Sequence, residues 1–413
     1  MARELFIMAK LAREGQVTHA TRAKHSATPT TSTMARRLHF NGSVISAPET
    51  PTVPLFLRGF NLDYQLGHSD LHMPNVTAQD RSMTTLLPGT TVVRLVMVHW
   101  HDEGTTKSGH DCSSDDPSTG YLREVCLQQF DSVLRWATQE AGLWAIVTMR
   151  ASLAAGDGGV NQTLFDNATL ASQAAGLWSF LASRYRSWSN IAGYEVLSEP
   201  RTEQPASVVH AYHKQACDAV WASDPLAACV IGPTKFYDRY NLSPEYLLPG
   251  RVIYAANFFE PKAWINDDGT AASVPYGATA RCCDLAEAKS CGGSCGPGGG
   301  GGDINVTLGK AWLSQLLEPA LAFQRAHGVP VYVDQWALNA EASVGEADRV
   351  AYLDDVLALF GDGGLHWSWW IWRSGYDVCP RSSAIYCGPS PNGSYTRFET
   401  AVARLARWLG PAP

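Results

Sequence analysis

Residues 192–200 read Ala-Gly-Tyr-Glu-Val-Leu-Ser-Glu-Pro, and this short stretch indicates the fold of the whole chain. Its apolar first part is too short for a helix and is typical of a strand buried on both faces. It ends in Ser198, Glu199 and Pro200, where a strand would give way to a loop. In parallel α/β folds the loops that follow the strands carry the active site, so this junction is a candidate site.

Seven similar apolar runs occur elsewhere in the chain, which makes eight in total. The other runs are Phe56–Leu62, Val92–Val98, Leu143–Met149, Ala228–Ile231, Val252–Phe258, Val329–Val333 and Leu365–Ile371. Amphipathic stretches typical of helices separate or follow most of them, with the weakest helical pattern at Phe236–Leu248. Eight strands that alternate with helices predict an α/β protein with a (β/α)8 TIM barrel.

The barrel is predicted to occupy residues 51–413, after a disordered or targeting tail over residues 1–50. One insertion, at about residues 263–303, is rich in Cys and Gly. Its four cysteines are spaced CC-x₇-C-x₃-C, which lacks the paired C-x₂-C spacing of common zinc sites, so disulfides are favoured over a metal. Its glycine run lacks the G-K-S/T ending of a phosphate-binding loop.

Composition excludes several classes of partner. With 45% hydrophobic and 17% charged residues the chain is typical of a globular protein. The net charge is −7 and no basic run is interleaved with aromatics, which argues against nucleic acid. No apolar run is long enough to span a membrane. We expect a monomer without a cofactor or a bound metal.

Cysteines and glycosylation motifs indicate the compartment. The chain has ten Cys, and it has N-x-S/T sequons at Asn41, Asn75, Asn161, Asn167, Asn241, Asn305 and Asn392. This number of sequons exceeds chance and favours a secreted protein or one in the lumen of the secretory pathway, where Cys pairs become disulfides. The alternative is coincidence with reduced thiols, and the N-terminus shows no clear signal peptide.

Candidate site residues lie where the runs end. They are Arg94 and Trp100 on the second run, Arg150 on the third, Ser198 and Glu199 on the fourth, Asn257 and Phe259 on the sixth, Gln335 on the seventh and Trp370 on the eighth. Strand alternation directs Trp367 and Trp369 to the helices, and Trp370 and Trp372 into the barrel. The same alternation turns Asp334 towards the helices unless a bulge re-aims its side chain.

The strand-end sequences resemble those of glycoside hydrolase family 5, the cellulase and mannanase clan, over roughly residues 55–409. The family's R-G-x-N-L pattern matches Arg58–Leu62, its strand-two arginine matches Arg94, and its strand-four N-E-P appears as Ser198-Glu199-Pro200. The resemblance implies that Glu199 is the catalytic acid/base. From the W-x-x-W spacing of Trp367 and Trp370, it implies that Trp370 is a sugar platform.

Several family positions are changed. The strand-three histidine is Arg150, the strand-six His-x-Tyr is Asn257-Phe258-Phe259, and the nucleophilic glutamate of strand seven is Gln335. A retaining glycosidase needs two carboxyl groups about 5–5.5 Å apart. The amide of Gln335 does not supply one, so the ordinary double displacement is broken at this position.

Three functions remain open. The first is an O-glycosyl hydrolase acting on a β-linked polysaccharide or glycoconjugate, in which Asp334, Glu341, an acetamido group of the substrate or a water held at Gln335 replaces the nucleophile. The second is a catalytically lapsed barrel that still binds oligo- or polysaccharide. The third is a purely structural barrel, which a strand-end glutamate beside tryptophan disfavours.

We predict that native protein carries N-glycans on several sequons and disulfides among its clustered cysteines, because both modifications belong to an oxidising secretory compartment. Peptide mass spectrometry before and after glycan removal and reduction measures both. Ten free thiols and unmodified asparagines would contradict the assignment of compartment.

Overall fold

The computed structural model describes most of the chain beyond residue 34. The described residues are 35–65, 76–98, 114, 116–149, 162–265, 274–286, 288–291, 304–340, 344–374, 383–390 and 392–410. Residues 1–34 and part of the insertion lie outside these ranges.

Eight parallel strands close into a barrel, which confirms the predicted fold. Each barrel strand pairs with the next along the chain, and the eighth pairs with the first. The barrel strands are β3 to β8, β11 and β12. In chain order the strands are β1 (His39–Asn41), β2 (Val44–Ser46), β3 (Arg58–Gln65), β4 (Val92–Val98), β5 (Trp144–Met149), β6 (Ile191–Glu195), β7 (Cys229–Ile231), β8 (Val252–Phe258), β9 (Thr279–Arg281), β10 (Asn305–Thr307), β11 (Val331–Trp336), β12 (His366–Trp369), β13 (Arg373–Ser374), β14 (Tyr386–Cys387) and β15 (Thr396–Arg397).

Helices follow most barrel strands at the predicted places. They are α1 (Ala78–Arg81), α2 (Met83–Leu86), α3 (Glu124–Arg135), α4 (Gln162–Asp166), α5 (Ala168–Tyr185), α6 (Ala206–Ser223), α7 (Lys262–Ile265), α8 (Cys282–Leu285), α9 (Lys310–His327), α10 (Glu346–Asp362) and α11 (Glu399–Trp408). The weak helical pattern after the fifth barrel strand has a structural counterpart. Short turns connect β7 to β8, including the 3₁₀ turns Arg239–Asn241 and Pro244–Tyr246.

Helix α5 illustrates how local sequence sets these elements. Asn167 precedes it, and its side-chain oxygen accepts hydrogen bonds from the backbone N–H groups of Thr169 and Leu170. This cap satisfies donors that have no partner within the helix. The buried face of the helix then places Trp178 against the barrel, where its indole N–H donates to the carbonyl of Val196 at 2.8 Å.

Alternate residues of the barrel strands enter two separate cores. Ile146, Val230 and Ile253 belong to a small cluster inside the barrel, whereas Val147 and Tyr254 belong to the larger layer between strands and helices. Burial on both faces explains why the strands are nearly continuous apolar runs.

The barrel domain begins earlier than residue 51, the predicted start. Strands β1 and β2 form an antiparallel hairpin that contributes Leu38 and Ile45 to the cluster inside the barrel. Arg37 is buried and pairs with Asp224 at 2.6 Å. Residues 35–50 therefore belong to the folded domain, because their apolar side chains close one end of the barrel.

Disulfides occur in and outside the insertion. Cys282 and Cys291 of the insertion are bonded, next to the antiparallel pair β9–β10, and Cys217 of α6 is bonded to Cys229 of β7. The second bond was not predicted, since its cysteines lie in a helix and a strand rather than in a cluster. Within the described ranges every helix is too short or too polar to cross a bilayer.

Candidate active site

Arg94 of β4 lies under the mouth of the barrel and is completely buried. Its Nε and Nη2 donate to the two oxygens of Glu195, each at 2.6 Å, and its Nη1 donates to Asn61 Oδ1 at 2.8 Å. Nη2 also donates to Ser198 Oγ at 2.6 Å. Burial alone would lower the pKa of Arg94, but the charge of Glu195 raises it above its ordinary value. The guanidinium thus stays charged and fixes three strands to one another.

This arrangement differs from the predicted role of Arg94. The arginine was expected to bind substrate, yet none of its surface is exposed, so it supports the site from below. Its partner Glu195 accepts a further bond from Thr148 Oγ1 at 2.9 Å. Ser198, also a predicted substrate contact, is 1% exposed and is held by Arg94.

Glu199 follows strand β6 and is partly exposed at the mouth. The strand ends at Glu195, and Glu199 has a φ of 51° in the left-handed region. Leu197 packs in the outer layer, so strand alternation does not continue from Glu195 to Glu199. The backbone turn, rather than strand alternation, directs Glu199 to the site. There Asn257 Nδ2 donates to its Oε1 at 2.6 Å.

A β-bulge in β11 turns Asp334 into the barrel. Val333 pairs with Ala256 and Gln335 pairs with the next residue, Asn257, so Asp334 is an extra residue on its strand. Its Oδ2 lies 3.4 Å from Arg94 Nη2. Asp334 therefore does not face the helices, as strand alternation alone predicts, but follows the exception allowed for a bulge, which shifts the alternation by one residue.

Gln335, the predicted counterpart of a nucleophile, lies beside Asp334 at the same bulge. It is 3% exposed, and its Nε2 donates to Asp334 Oδ2 over 3.4 Å. Strand β11 therefore supplies one amide and one deeply buried carboxyl group to the barrel interior.

The surroundings of Asp334 favour the neutral form of its carboxyl group. Burial raises the pKa of its carboxyl well above the ordinary value, and the charges of Glu195 and Glu199 raise it further against the opposing effect of Arg94. Arg94 offsets this rise in the pKa only in part, because it forms a two-point ion pair with Glu195. Among the residues that the structure describes, Asp334 Oδ1 has no hydrogen-bond partner, which also disfavours the ionised carboxylate.

The aromatic residues of strand eight divide differently from the prediction. Trp367 and Trp369 pack in the outer layer as expected, at 5.6 and 4.8 Å from the ring of Trp336. Trp370 is partly exposed. Trp372 was expected inside the barrel, but it packs in the outer layer because β12 ends at Trp369 and strand alternation stops there.

Of the remaining predicted residues, the structure describes Asn257 and Phe259. Asn257 joins Glu199 at the mouth, and Phe259 is half-buried just beyond β8. Trp100, Arg150 and Glu341 lie outside the described residues.

Sequence reasoning missed Asn61 as part of the site. Its amide nitrogen donates to the carbonyls of Asp334 and Trp369, and its oxygen accepts from Arg94. The signal was present, since Asn61 is the asparagine of the R-G-x-N-L pattern.

The chain is similar to known carbohydrate-active proteins. The model of the cellulase family, glycosyl hydrolase family 5, matches residues 57–375. No curated protein sequence matches the chain. Among solved structures, a glycoside hydrolase has a TM-score of 0.63 at 14% identity, covering 86% of this chain and 99% of its own.

Two further structures share the fold. The cellulose synthase subunit Z (CcsZ) of Clostridioides difficile has a TM-score of 0.60 at 15% identity, covering 85% of this chain and 99% of its own. Endoglucanase Cel5A of the hyperthermophilic Thermotoga maritima has a TM-score of 0.60 at 13% identity, covering 84% and 96%. At these identities the structures show a common fold and not a common substrate.

We predict that Asp334→Asn becomes progressively more stable, relative to wild type, as the pH rises from about 4 towards neutrality. At Asp334 the folded wild type keeps a proton that the unfolded chain releases near pH 3.9. Above that pH the free energy of unfolding of the wild type therefore falls by up to about 1.4 kcal/mol per pH unit, whereas that of the variant does not fall for this reason. Denaturant unfolding across this pH range measures the difference. The exposed carboxylate variant Asp362→Asn is the control. A difference that stays constant or falls with pH would show that Asp334 is ionised.

Proposed function

This chain belongs to the cellulase family, glycosyl hydrolase family 5, and we propose that it hydrolyses a β-linked polysaccharide or glycoconjugate with Glu199 as general acid/base. The observation that carries the proposal is the placement of Glu199. It lies at the carboxyl end of a barrel strand, partly exposed, with Asn257 Nδ2 2.6 Å from one of its oxygens. Active sites of such barrels occupy this end.

Glu199 would act by proton transfer to the glycosidic oxygen. The proton passes to the leaving oxygen as the bond from that oxygen to the anomeric carbon breaks, which spares the departing sugar a negative charge. The positively charged Arg94 pairs with Glu195 and not with Glu199, so its charge does not hold the Glu199 carboxylate away from the substrate.

The attacking group differs from that of an ordinary retaining enzyme. Gln335 has no carboxylate, and Asp334 is fully buried with a raised pKa, so it is a poor nucleophile at neutral pH. These observations favour a water, or an acetamido group of the substrate, that the amide of Gln335 orients. In both routes no glycosyl ester forms on β11.

The substrate class follows from the fold and its neighbours. The Thermotoga maritima endoglucanase was solved in complex with mannotriose and with cellobiose. We extend this to β-linked oligosaccharides as the first substrates to try. Trp370, partly exposed at the end of strand eight, is our candidate for a sugar platform, with Phe259 and Asn257 as further contacts.

We also propose that the protein acts as a secreted monomer. Asn41, Asn167, Asn305 and Asn392 are exposed, as N-glycosylation requires. The disulfides Cys217–Cys229 and Cys282–Cys291 favour an oxidising compartment.

A second candidate function is oligosaccharide binding without cleavage. The amide at Gln335 and the neutral carboxyl of Asp334 favour it, because together they leave strand seven without an ionised group. A protein of this kind binds oligosaccharides through the same mouth but shows no turnover.

Glu199→Gln should lower cleavage of substrates with poor leaving groups by about 10²- to 10⁴-fold, because it removes the proton donor. Aryl glycosides with very good leaving groups should lose less, since they need little protonation. Steady-state kinetics on a β-linked oligosaccharide and on activated aryl glycosides measure both effects. Glu245→Gln, an exposed carboxylate on the turn before β8, is the matched control.

Equal activity of wild type and Glu199→Gln on the oligosaccharide would remove Glu199 from the mechanism. Binding of the oligosaccharide with no detectable cleavage by wild type would favour the second candidate function.

Gln335→Glu should reduce hydrolysis. The change replaces an amide donor, 3.4 Å from Asp334 Oδ2, with a second carboxyl group, and neighbouring carboxylates disfavour each other's ionised form. Rates, together with proton NMR of the first-formed anomer, test this. A strong gain in hydrolysis with retention of configuration would instead identify a lapsed retaining enzyme.

A further inference from the structure

The short segment between the end of β6 and Glu199 leaves the sheet while it is still buried. Strand β6 ends at Glu195, and the next two residues, Val196 and Leu197, are each 1% exposed. A buried backbone carbonyl without a hydrogen-bond donor destabilises the fold. Past the end of the strand, the carbonyls of Val196 and Leu197 therefore need donors from outside the sheet.

Two side chains of the helix layer supply donors to Val196. The indole N–H of Trp178 donates to Val196 O at 2.8 Å, and the hydroxyl of Tyr212 donates to the same oxygen at 3.0 Å. Both donors come from the outer side of the barrel, on helices α5 and α6. Because this carbonyl has two donors, loss of either one leaves it satisfied.

The carbonyl of Leu197 is served from inside the barrel. Within the part of the chain that the structure describes, Leu197 O accepts from one side chain, the hydroxyl of Tyr237. Tyr237 is completely buried and belongs to the small cluster inside the barrel, with Val230 and Ile253. Burial, together with the charge of Glu195, raises the pKa of this hydroxyl well above its ordinary value, so it remains a donor throughout the neutral range.

A turn of left-handed backbone after β7 brings Tyr237 to this place. Lys235, Phe236 and Tyr237 have φ angles of 59°, 61° and 53°. Left-handed backbone is unfavourable for residues with a Cβ, and it persists only where the surroundings hold it. The Tyr237 ring packs on Gly232, where an added Cβ would lie 2.4 Å from Tyr237 Cδ1. The absence of a side chain at Gly232 thus gives the ring its room inside the barrel.

The same turn is linked to the side chain of Glu199. Asn257 Nδ2 donates to Phe236 O at 2.9 Å and to Glu199 Oε1 at 2.6 Å. Glu199 itself has left-handed backbone, with a φ of 51°. Two left-handed segments are therefore joined at two points. Tyr237 holds the main chain just before Glu199, and Asn257 holds the carboxyl group.

We propose that Tyr237 is a positioning residue for the proposed acid, because its hydroxyl fixes Leu197 O and thereby the turn that directs the Glu199 carboxyl to the glycosidic oxygen. Without this bond Leu197 O would be a buried acceptor without a donor, and the segment would move to find one. A misplacement of about 1 Å in a reacting group can lower a rate by about 10²-fold. The inference rests on the proposed function, since it concerns the placement of the same acid.

Tyr237→Phe tests the inference, because it removes the hydroxyl and keeps the ring. On cellotriose or mannotriose, kcat/KM should fall about 10- to 100-fold, and the loss should lie in kcat rather than in KM. The matching dinitrophenyl glycosides need little protonation, so they should lose less than about 3-fold. A residue that only stabilises the fold would lower both activities alike.

Tyr212→Phe is the matched control. It removes the same atom from a tyrosine that bonds the preceding carbonyl, and Trp178 still donates to that carbonyl, so wild-type values are expected on both substrates. Gly232→Ala is a second variant that keeps the Tyr237 hydroxyl but displaces the ring, and it should show the same selective loss. It decides the question if Tyr237→Phe does not fold.

Equal losses on both substrates, no loss on the trisaccharide, or a loss as large for Tyr212→Phe would overturn the inference. If wild type cleaves neither substrate, the proposed hydrolase function fails, and crystal structures of the two Tyr→Phe variants then decide about Tyr237. Separation of Glu199 from Asn257 in Tyr237→Phe alone supports the positioning role. An unmoved Glu199, or the same movement in both variants, rejects it.

Discussion

The buried ion pair between Arg94 and Glu195 is the interaction on which the site depends. Two charges without exposed surface are stable only when their hydrogen bonds are satisfied, and removing one partner of such a pair typically costs about 3–5 kcal/mol. Here Asn61, Ser198 and Thr148 complete the bonding. Asn61, Arg94, Thr148 and Glu195 lie on four neighbouring barrel strands, so the ion pair fixes the geometry of the mouth. It also engages the charge of Arg94, which would otherwise stabilise an ionised Asp334 more strongly.

From this follows an electrostatic division of the site. Glu199 lies just after strand four with an amide donor at 2.6 Å from its carboxylate. Strand seven presents the amide of Gln335 beside Asp334, whose pKa is raised by burial. The division suits a reaction in which the protein supplies a proton and orients an uncharged nucleophile. It does not suit the formation of an ester on strand seven, which needs an ionised carboxylate facing the substrate.

The barrel could be predicted from sequence because its strands are buried on both faces, so that runs such as Val252–Phe258 are apolar throughout. Glu199 was identified because it stands between such a run and a proline. Orientation was predicted less well wherever strand alternation fails. The bulge at Asp334, the turn at Glu199 and the end of β12 before Trp372 each depend on pairing with neighbouring strands. Local sequence does not encode that pairing. The left-handed backbone of Lys235, Phe236 and Tyr237 after β7 was missed for a related reason, since non-glycine residues give no local signal of positive φ.

The central claim is that Asp334 and Gln335 of strand β11 carry no charge at neutral pH, and the protonation state of Asp334 tests it directly. Infrared difference spectroscopy between wild type and Asp334→Asn at pH 7 isolates this carboxyl group. The account predicts that the difference contains the C=O stretch of a protonated carboxylic acid, which shifts in deuterated water. A difference that contains only the symmetric and antisymmetric bands of an ionised carboxylate would contradict it.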